Sequence, residues 1–470
     1  MAEPSPSTPA GGRHSMGRVW ATMVVYHLVF VVAFVLYLPV LLWRMVRDPR
    51  YRHGIRERMG YVPASAGSGP VVWLHGVSVG EVKAAGNLIR ALRERHPEIE
   101  LVLSSTTPTG LDLARRLHPD LRVFFYPLDF AAFPSRALDR VRPACVLLVE
   151  LEVWPNFLQA AARRSIPVMV INGRMSAKSF RGYRWARGLL PQFDLIQVYC
   201  VQDSSYATRI RALGVPPSRV LVTGNMKYDS LHLKEAPPES ARLRRWLSPD
   251  GRAVLVCGST HGEEEVWLAG VAQRVSARLR RPLRLVLAPR HPERVPGVRE
   301  RLRVLGAPTV SWKERMTDLR PLGDAEVVVV DTIGHLEAFY GAGDLAFVGG
   351  SLVPHGGQNM LEPAALGKPV LFGRHTQNFR RDVDLLLGAK AAIQVRDLRQ
   401  LEDEIARLWS EPERGRALGA AAVALIRSNQ GATERTMSLL EPVLARALGT
   451  ADAVAVVRPG APGAGSGPRP

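Results

Sequence analysis

Residues 347–379 read FVGGSLVPHGGQNMLEPAALGKPVLFGRHTQNF. An apolar strand, Leu345 to Val348, runs into Gly349, Gly350, Gly356 and Gly357. Asn359 then opens a short helix with Glu362 in its first turn, and a second strand, Pro369 to Phe372, follows at once. Glycines let backbone N–H groups approach an anion, and a helix N-terminus adds a favourable dipole. An acid in that first turn can hold sugar hydroxyls. The segment therefore predicts a grip on a phosphate and a ribose, as in a nucleotide-linked donor. The competing reading is an ordinary strand–turn–helix link in an α/β domain, and the length and density of the pattern argue against it.

Working outward, the chain past residue 70 alternates short apolar strands with helical segments. Candidate strands are Val71–His75, Leu101–Ser104, Arg122–Tyr126, Cys145–Val149, Pro167–Ile171, Leu195–Val201 and Val220–Thr223. After a charged, Pro-containing stretch the rhythm restarts with Ala253–Cys257, Leu283–Ala288, Glu326–Val330, Leu345–Val348 and Pro369–Phe372. Several are apolar throughout rather than alternating, as parallel strands buried on both faces are. The order predicts an α/β protein of two Rossmann-like domains, with ligands in the cleft facing the strand C-termini. The expected divisions are a tail at 1–18, an apolar segment at 19–43, domains at 44–230 and 251–448 joined by a linker at 231–250, and a disordered tail at 449–470.

The 470 residues allow two or three domains, and 46% hydrophobic with 22% charged content is globular. Val19 to Trp43 carries no charge over 25 residues, long enough to cross a bilayer. It is too long for a secretory signal, and no small-residue cleavage site follows. Arg13 and Arg18 precede it, whereas Arg44, Arg47, Arg50, Arg52, Arg56 and Arg58 follow. That asymmetry predicts a single-pass anchor with the body of the protein in the cytoplasm. The net charge of +19 fits attraction to anionic lipid. Nucleic-acid binding is the rival reading, but no recognition motif supports it, and no nucleic-acid partner is expected. Cys145, Cys200 and Cys257 are far apart in apolar runs, which predicts buried, reduced thiols.

The residues that follow the strands carry the chemistry. WLHGVSVGEVKAA places Glu81 at a helix start beyond a small-residue turn. It is either a base at the cleft mouth or a helix-terminal charge. ELEVWPN places Glu150 and Glu152 two apart at a strand end, where two acids need a partner or a task. GNMKYD offers Lys227 to a phosphate or carboxylate. PRHPER offers Arg290 for a bidentate grip, with His291 beside it. DTIGHLEAFYGAGD offers backbone groups at Ile333, Gly334 and His335 to a base or ribose, with Asp331 as a cap. A P-loop, an HExxH helix, a GxSxG elbow and a compact Asp-x-Asp pair are all missing, so transfer without a metal is expected.

These segments resemble the 3-deoxy-D-manno-octulosonic acid (Kdo) transferases of lipopolysaccharide assembly. WLHGVSVGEV, ELEVWPN, GNMKYD, APRHPER, DTIGHL and GGSLVPHGGQNMLEPAALGKPVLFGRHTQNF carry the likeness in order, and YRHGIRERMG adds to it. The resemblance implies a GT-B arrangement of two Rossmann-like domains behind an N-terminal transmembrane helix at the inner membrane. It implies an inverting transfer from CMP-Kdo to a tetraacyl lipid A precursor, with no cofactor. Glu81 matches the family's general base, and Glu150 and Lys227 match its transition-state stabilisers, with Glu152 close enough to compete with Glu150. Pro289, Arg290, Ile333, Gly334, His335, Asn359, Met360, Leu361 and Glu362 match its CMP-binding positions. A membrane-anchored GT-B transferase using another nucleotide sugar is the alternative, and a tethered scaffold with a degenerate site a third reading. Three departures stand out: Met360 where the family often has proline, His335 where many members have glutamate, and Gly76 in place of a more usual alanine. Met360 lacks the fixed φ that favours proline early in a helix.

Overall fold

The computed structural model describes residues 16–47, 52–65, 67, 69–186, 191–323 and 327–448. Residues 1–15 of the expected 1–18 tail, the expected tail at 449–470, Arg13, Arg50 and the strand start at Glu326 lie outside the described residues. The described residues up to Met226 form one compact unit with those from Gly431 onward, and Lys227–Gln430 form a second.

In the first unit seven parallel strands are β1 (Val71–His75), β2 (Glu100–Ser105), β3 (Arg122–Phe125), β4 (Pro143–Val149), β5 (Val168–Gly173), β6 (Val198–Val201) and β7 (Val220–Val222). They lie in the order β3-β2-β1-β4-β5-β6-β7. The order reverses between β1 and β4, the place where doubly wound sheets bind ligands. Strand β1 shows why the run VVWLH reads as apolar throughout. Val71 and Trp73 enter one core, and Val72 and Leu74 enter the core on the other face. The helix Val79–Arg95 follows, capped by Ser78, whose Oγ accepts the Glu81 N–H. Val82, Ala85, Leu88, Ile89 and Leu92 recur at helical spacing and are buried.

The second unit repeats the plan with β8 (Val254–Thr260), β9 (Arg284–Pro289), β10 (Thr309–Ser311), β11 (Val327–Val329), β12 (Leu345–Val348), β13 (Val370–Phe372) and β14 (Ile393–Gln394). Their order is β10-β11-β9-β8-β12-β13-β14, again all parallel, with its reversal between β8 and β12. The α/β class and the two parallel sheets stand as expected. Two short edge strands, β10 and β14, escaped the sequence reading because neither carries a four-residue apolar run. The three cysteines are free and buried.

The divisions differ from the expected ones in three places, the first being that residues 227–230, expected in the first domain, fall in the second unit. The segment taken as a linker contains a helix, Glu239–Leu247, whose Leu243, Trp246 and Leu247 pack with Val254, Val256 and Phe339. It belongs to the second unit. The last helix, Ala432–Leu448, was expected in the second domain but belongs to the first unit. Its Met437, Leu440 and Leu444 join the core of Leu74, Val82 and Leu88. Its Arg435 Nε donates to the Thr223 carbonyl at 2.7 Å. A helix spans Met16–Arg47 at the N-terminus. Among the described residues no helix is long and apolar enough to cross a membrane.

Candidate active site

In the first unit the reversal point gathers three carboxylates. Glu81 lies in the first turn of the helix after β1, and Glu150 and Glu152 follow β4, the strand hydrogen-bonded to β1. One Glu81 oxygen accepts the Val77 N–H at 2.6 Å and the other the Ser78 hydroxyl at 3.1 Å. The helix-terminal reading of Glu81 is therefore correct as far as it goes, and the same bonds fix the carboxylate in place. Burial pushes its pKa up, the Val77 N–H draws it down, and the charge of Glu150 pushes it up again. Burial likewise raises Glu152 to about 7, with the Glu81 charge adding to the rise and the Trp154 side chain opposing it. Glu150 holds a φ of 61°, a left-handed conformation costly for a residue with a Cβ. Its N–H bonds the Ile171 carbonyl at 2.9 Å. Strain and mutual repulsion of this kind mark sites where position matters more than stability.

In the second unit the glycine-rich loop differs from the expected phosphate grip. The Gly350, Ser351 and Leu352 N–H groups all donate to Glu264, at 2.7, 3.0 and 2.9 Å. The His261 N–H donates to the same carboxylate at 2.8 Å. Glu264 is fully buried, so the anion in this nest is the chain's own side chain. Burial raises its pKa, and the four N–H groups oppose that rise. Gly349 is required by close approach: a Cβ there would sit 2.5 Å from the Thr260 Cα. The Gly357 N–H is taken by the Gly350 carbonyl.

The remaining expected positions fall out as follows. Lys227 lies in the second unit, where its Nζ donates to Asp382 at 2.6 Å beside the Tyr228 hydroxyl at 3.0 Å. Pro289 ends β9, and the exposed Arg290 donates its backbone N–H to Thr260. His291 is exposed and pairs with Glu293. Asp331 accepts from Ser311 and from the Lys313 N–H, so it caps the short helix after β10 rather than its own segment. Ile333 is 87% exposed, Gly334 holds a φ of 96°, and His335 bonds the Thr332 hydroxyl. The helix starts two residues later than expected, at Leu361. Asn359 bridges the Leu361 N–H and the Glu362 carboxylate, at 3.1 and 3.0 Å. Met360 and Leu361 have both side chains buried in the core around Val348 and Phe372, so any ligand at these positions meets their backbone.

The same strand-end rule applied to β8 would have found what the sequence reading passed over. HGEEE follows that strand and supplies His261 and Glu264. The His261 ring stacks on His355 at 3.8 Å and meets the His291 edge at 5.8 Å. Burial holds the His261 pKa down at about 4, so the ring is neutral near pH 7.

A family model described as 3-deoxy-D-manno-octulosonic-acid transferase (kdotransferase) matches residues 53–230. The chain is 34% identical over 406 residues to the 3-deoxy-D-manno-octulosonic acid transferase of Haemophilus influenzae, covering 85% of this chain and 94% of that protein. It is 35% identical over 387 residues to the Bordetella pertussis transferase of the same name, covering 79% and 86%. The chain belongs to the Kdo transferase family. As a member it is a glycosyltransferase. UDP-GlcNAc 2-epimerase from Neisseria meningitidis, solved with UDP-GlcNAc, aligns with a TM-score of 0.54 at 16% identity, over 79% of this chain and all of that one. That likeness shows a shared fold. The Kdo transferase thus places its crowded acids on one Rossmann-like unit and its glycine loop on the other.

Proposed function

We propose that this Kdo transferase moves Kdo from CMP-Kdo to a tetraacyl lipid A precursor, with inversion at the anomeric carbon. The observation that carries the reading is Glu81: a half-buried carboxylate held by two hydrogen bonds, its pKa raised by burial. A base so tuned takes the acceptor hydroxyl's proton as that oxygen attacks the sugar. CMP leaves from the opposite face as a phosphate monoester. Glu150 and Lys227 stabilise the transition state, with the Lys227 charge shared by Asp382. Pro289, Arg290, Ile333, Gly334, His335, Asn359 and Glu362 bind CMP, and Met360 and Leu361 contribute backbone alone. With the Gly350, Ser351 and Leu352 N–H groups committed to Glu264 and that of Gly357 to the Gly350 carbonyl, we assign the charge of the leaving phosphate chiefly to side chains, Arg290 first among them. No cofactor or metal is assigned. The uncharged run at Val19–Trp43 and the arginines after it support attachment to the inner membrane from its cytoplasmic side, with Tyr26, His27, Phe30 and Phe34 of that run seated on the first unit.

The test is full-length protein in detergent, given CMP-Kdo and the lipid precursor. CMP release with a product heavier by Kdo is expected. No release beside an active control enzyme would sink the reading. Stronger protection of the fold by UDP than by CMP would favour another nucleotide sugar.

A further inference from the structure

The first unit holds an apolar cavity of about 260 Å³ that the transfer chemistry does not use. Phe30, Ala33 and Phe34 of the N-terminal helix form one wall, and Tyr126, Leu128 and Trp154 form the other. The Phe130 ring packs edge-on against Phe30 and Phe34, at 5.0 and 5.1 Å, and fixes the two walls together. The walls are also pinned by polar contacts. The Tyr26 hydroxyl donates to Asp129 at 2.8 Å, and His27 Nε2 lies 2.7 Å from the Asn156 side-chain oxygen.

The lining is not wholly apolar. Tyr126 is 3% exposed, yet its hydroxyl finds no hydrogen-bond partner among the described residues. The Thr106 hydroxyl, on the same lining, is in the same state. A buried polar atom left unsatisfied is costly, and two on one apolar cavity ask for a ligand that is mostly hydrocarbon with an acceptor at one point. Arg58 stands on the lining as well, its guanidinium over the Phe125 ring at 4.1 Å and an N–H on the Thr106 carbonyl. The cavity lies near the carboxylate cluster, and the charge of Glu152 acts on the Tyr126 hydroxyl of its lining. Trp154 belongs to the loop that carries Glu152, and Tyr126 stacks at 3.8 Å on His75, the last residue of β1.

We propose that this cavity is a binding site for one fatty acyl chain of the lipid acceptor, its ester or amide carbonyl accepting from Tyr126 and its phosphorylated headgroup lying toward Arg58. The proposal rests on the reading of the acceptor as an acylated, phosphorylated lipid. It predicts that acylation is recognised by the protein itself and not only by partition into a membrane.

The experiment compares an acylated, phosphorylated glucosamine disaccharide with its fully deacylated counterpart, using full-length enzyme in detergent and following CMP release. Ala33→Trp fills the cavity and is expected to raise KM for the acylated acceptor at least about tenfold, with KM for the deacylated one unchanged. Tyr126→Phe, which keeps the ring and its packing, is expected to raise KM for the acylated acceptor about fivefold. Leu36→Trp alters a helix position that is 74% exposed and outside the lining, and is expected to change neither. Equal effects of Ala33→Trp and Leu36→Trp, or of Ala33→Trp on both acceptors, would overturn the cavity while leaving Kdo transfer intact. Transfer to neither acceptor by the unaltered enzyme would overturn the function and the cavity together.

Discussion

Glu81 and Glu264 occupy corresponding places in the two units. Each lies in the first turn of the helix that follows the strand beside its sheet's reversal point. Glu264 is fully buried and receives four backbone N–H groups. Glu81 is partly exposed, receives one backbone N–H and one hydroxyl, and meets the like charge of Glu150. A carboxylate saturated by N–H donors has little capacity left to exchange a proton and holds a loop. One that is crowded by other acids and still reachable is suited to move a proton.

The difference can be broken most sharply at Glu81. Glu81→Gln keeps the shape and is expected to cut kcat by about 10³-fold, with the folding free energy changed by less than about 1 kcal/mol. Single-turnover CMP release and urea unfolding read the two sides. Near-normal turnover would remove the base assignment. Glu264→Gln should do the reverse in kind, with the cost in stability: about 3 kcal/mol in urea unfolding of the second unit, because one amide oxygen and an NH₂ face four donors. A smaller step in the same loop is Gly349→Ala, where the added Cβ meets the Thr260 backbone. About 2 kcal/mol of destabilisation is expected in the same measurement, and a neutral result would show that the loop yields. The gentlest test is pH. The pKa of Glu152 rises on folding from 4.5 to about 7, so the folded protein binds the extra proton between those values. Its contribution is present below pH 4.5 and is lost as pH rises through about 7. Glu152→Gln should therefore flatten the fall of Tm between pH 5 and 8, by a free energy of about 1–2 kcal/mol after solvent screening. An unchanged slope would place the coupling elsewhere.

The sequence showed most of the frame because parallel strands buried on both faces leave continuous apolar runs, as VVWLH and LAFV do. It showed Glu81, Glu150 and Glu152 because acids directly after such runs are conspicuous. It hid the role of Glu264, three of whose four N–H partners lie 86 to 88 residues along the chain. The glycine loop looked like a phosphate grip because glycine content reveals that N–H groups are presented, not which anion receives them. Met360 and Leu361 carried their own warning, since apolar side chains at a helix start more often face a core. The helix Ala432–Leu448 was legible as a helix, but periodicity does not say which sheet an apolar face will cover.

That last helix bears on the order in which the protein is made. The second unit is one continuous stretch of chain, Lys227–Gln430, complete as soon as its final residue leaves the ribosome. The first unit begins earlier and finishes later, because Met437, Leu440 and Leu444 of its core are synthesised only after the whole second unit. Until then a strip of the core around Leu74, Val82 and Leu88 stays uncovered, and domains otherwise tend to fold in the order of synthesis. The acids at the end of β1 and β4 reach their final setting when the carboxy-terminal helix docks. Nascent chains halted before residue 432 should accordingly hold a protease-resistant second unit and an unfinished first one.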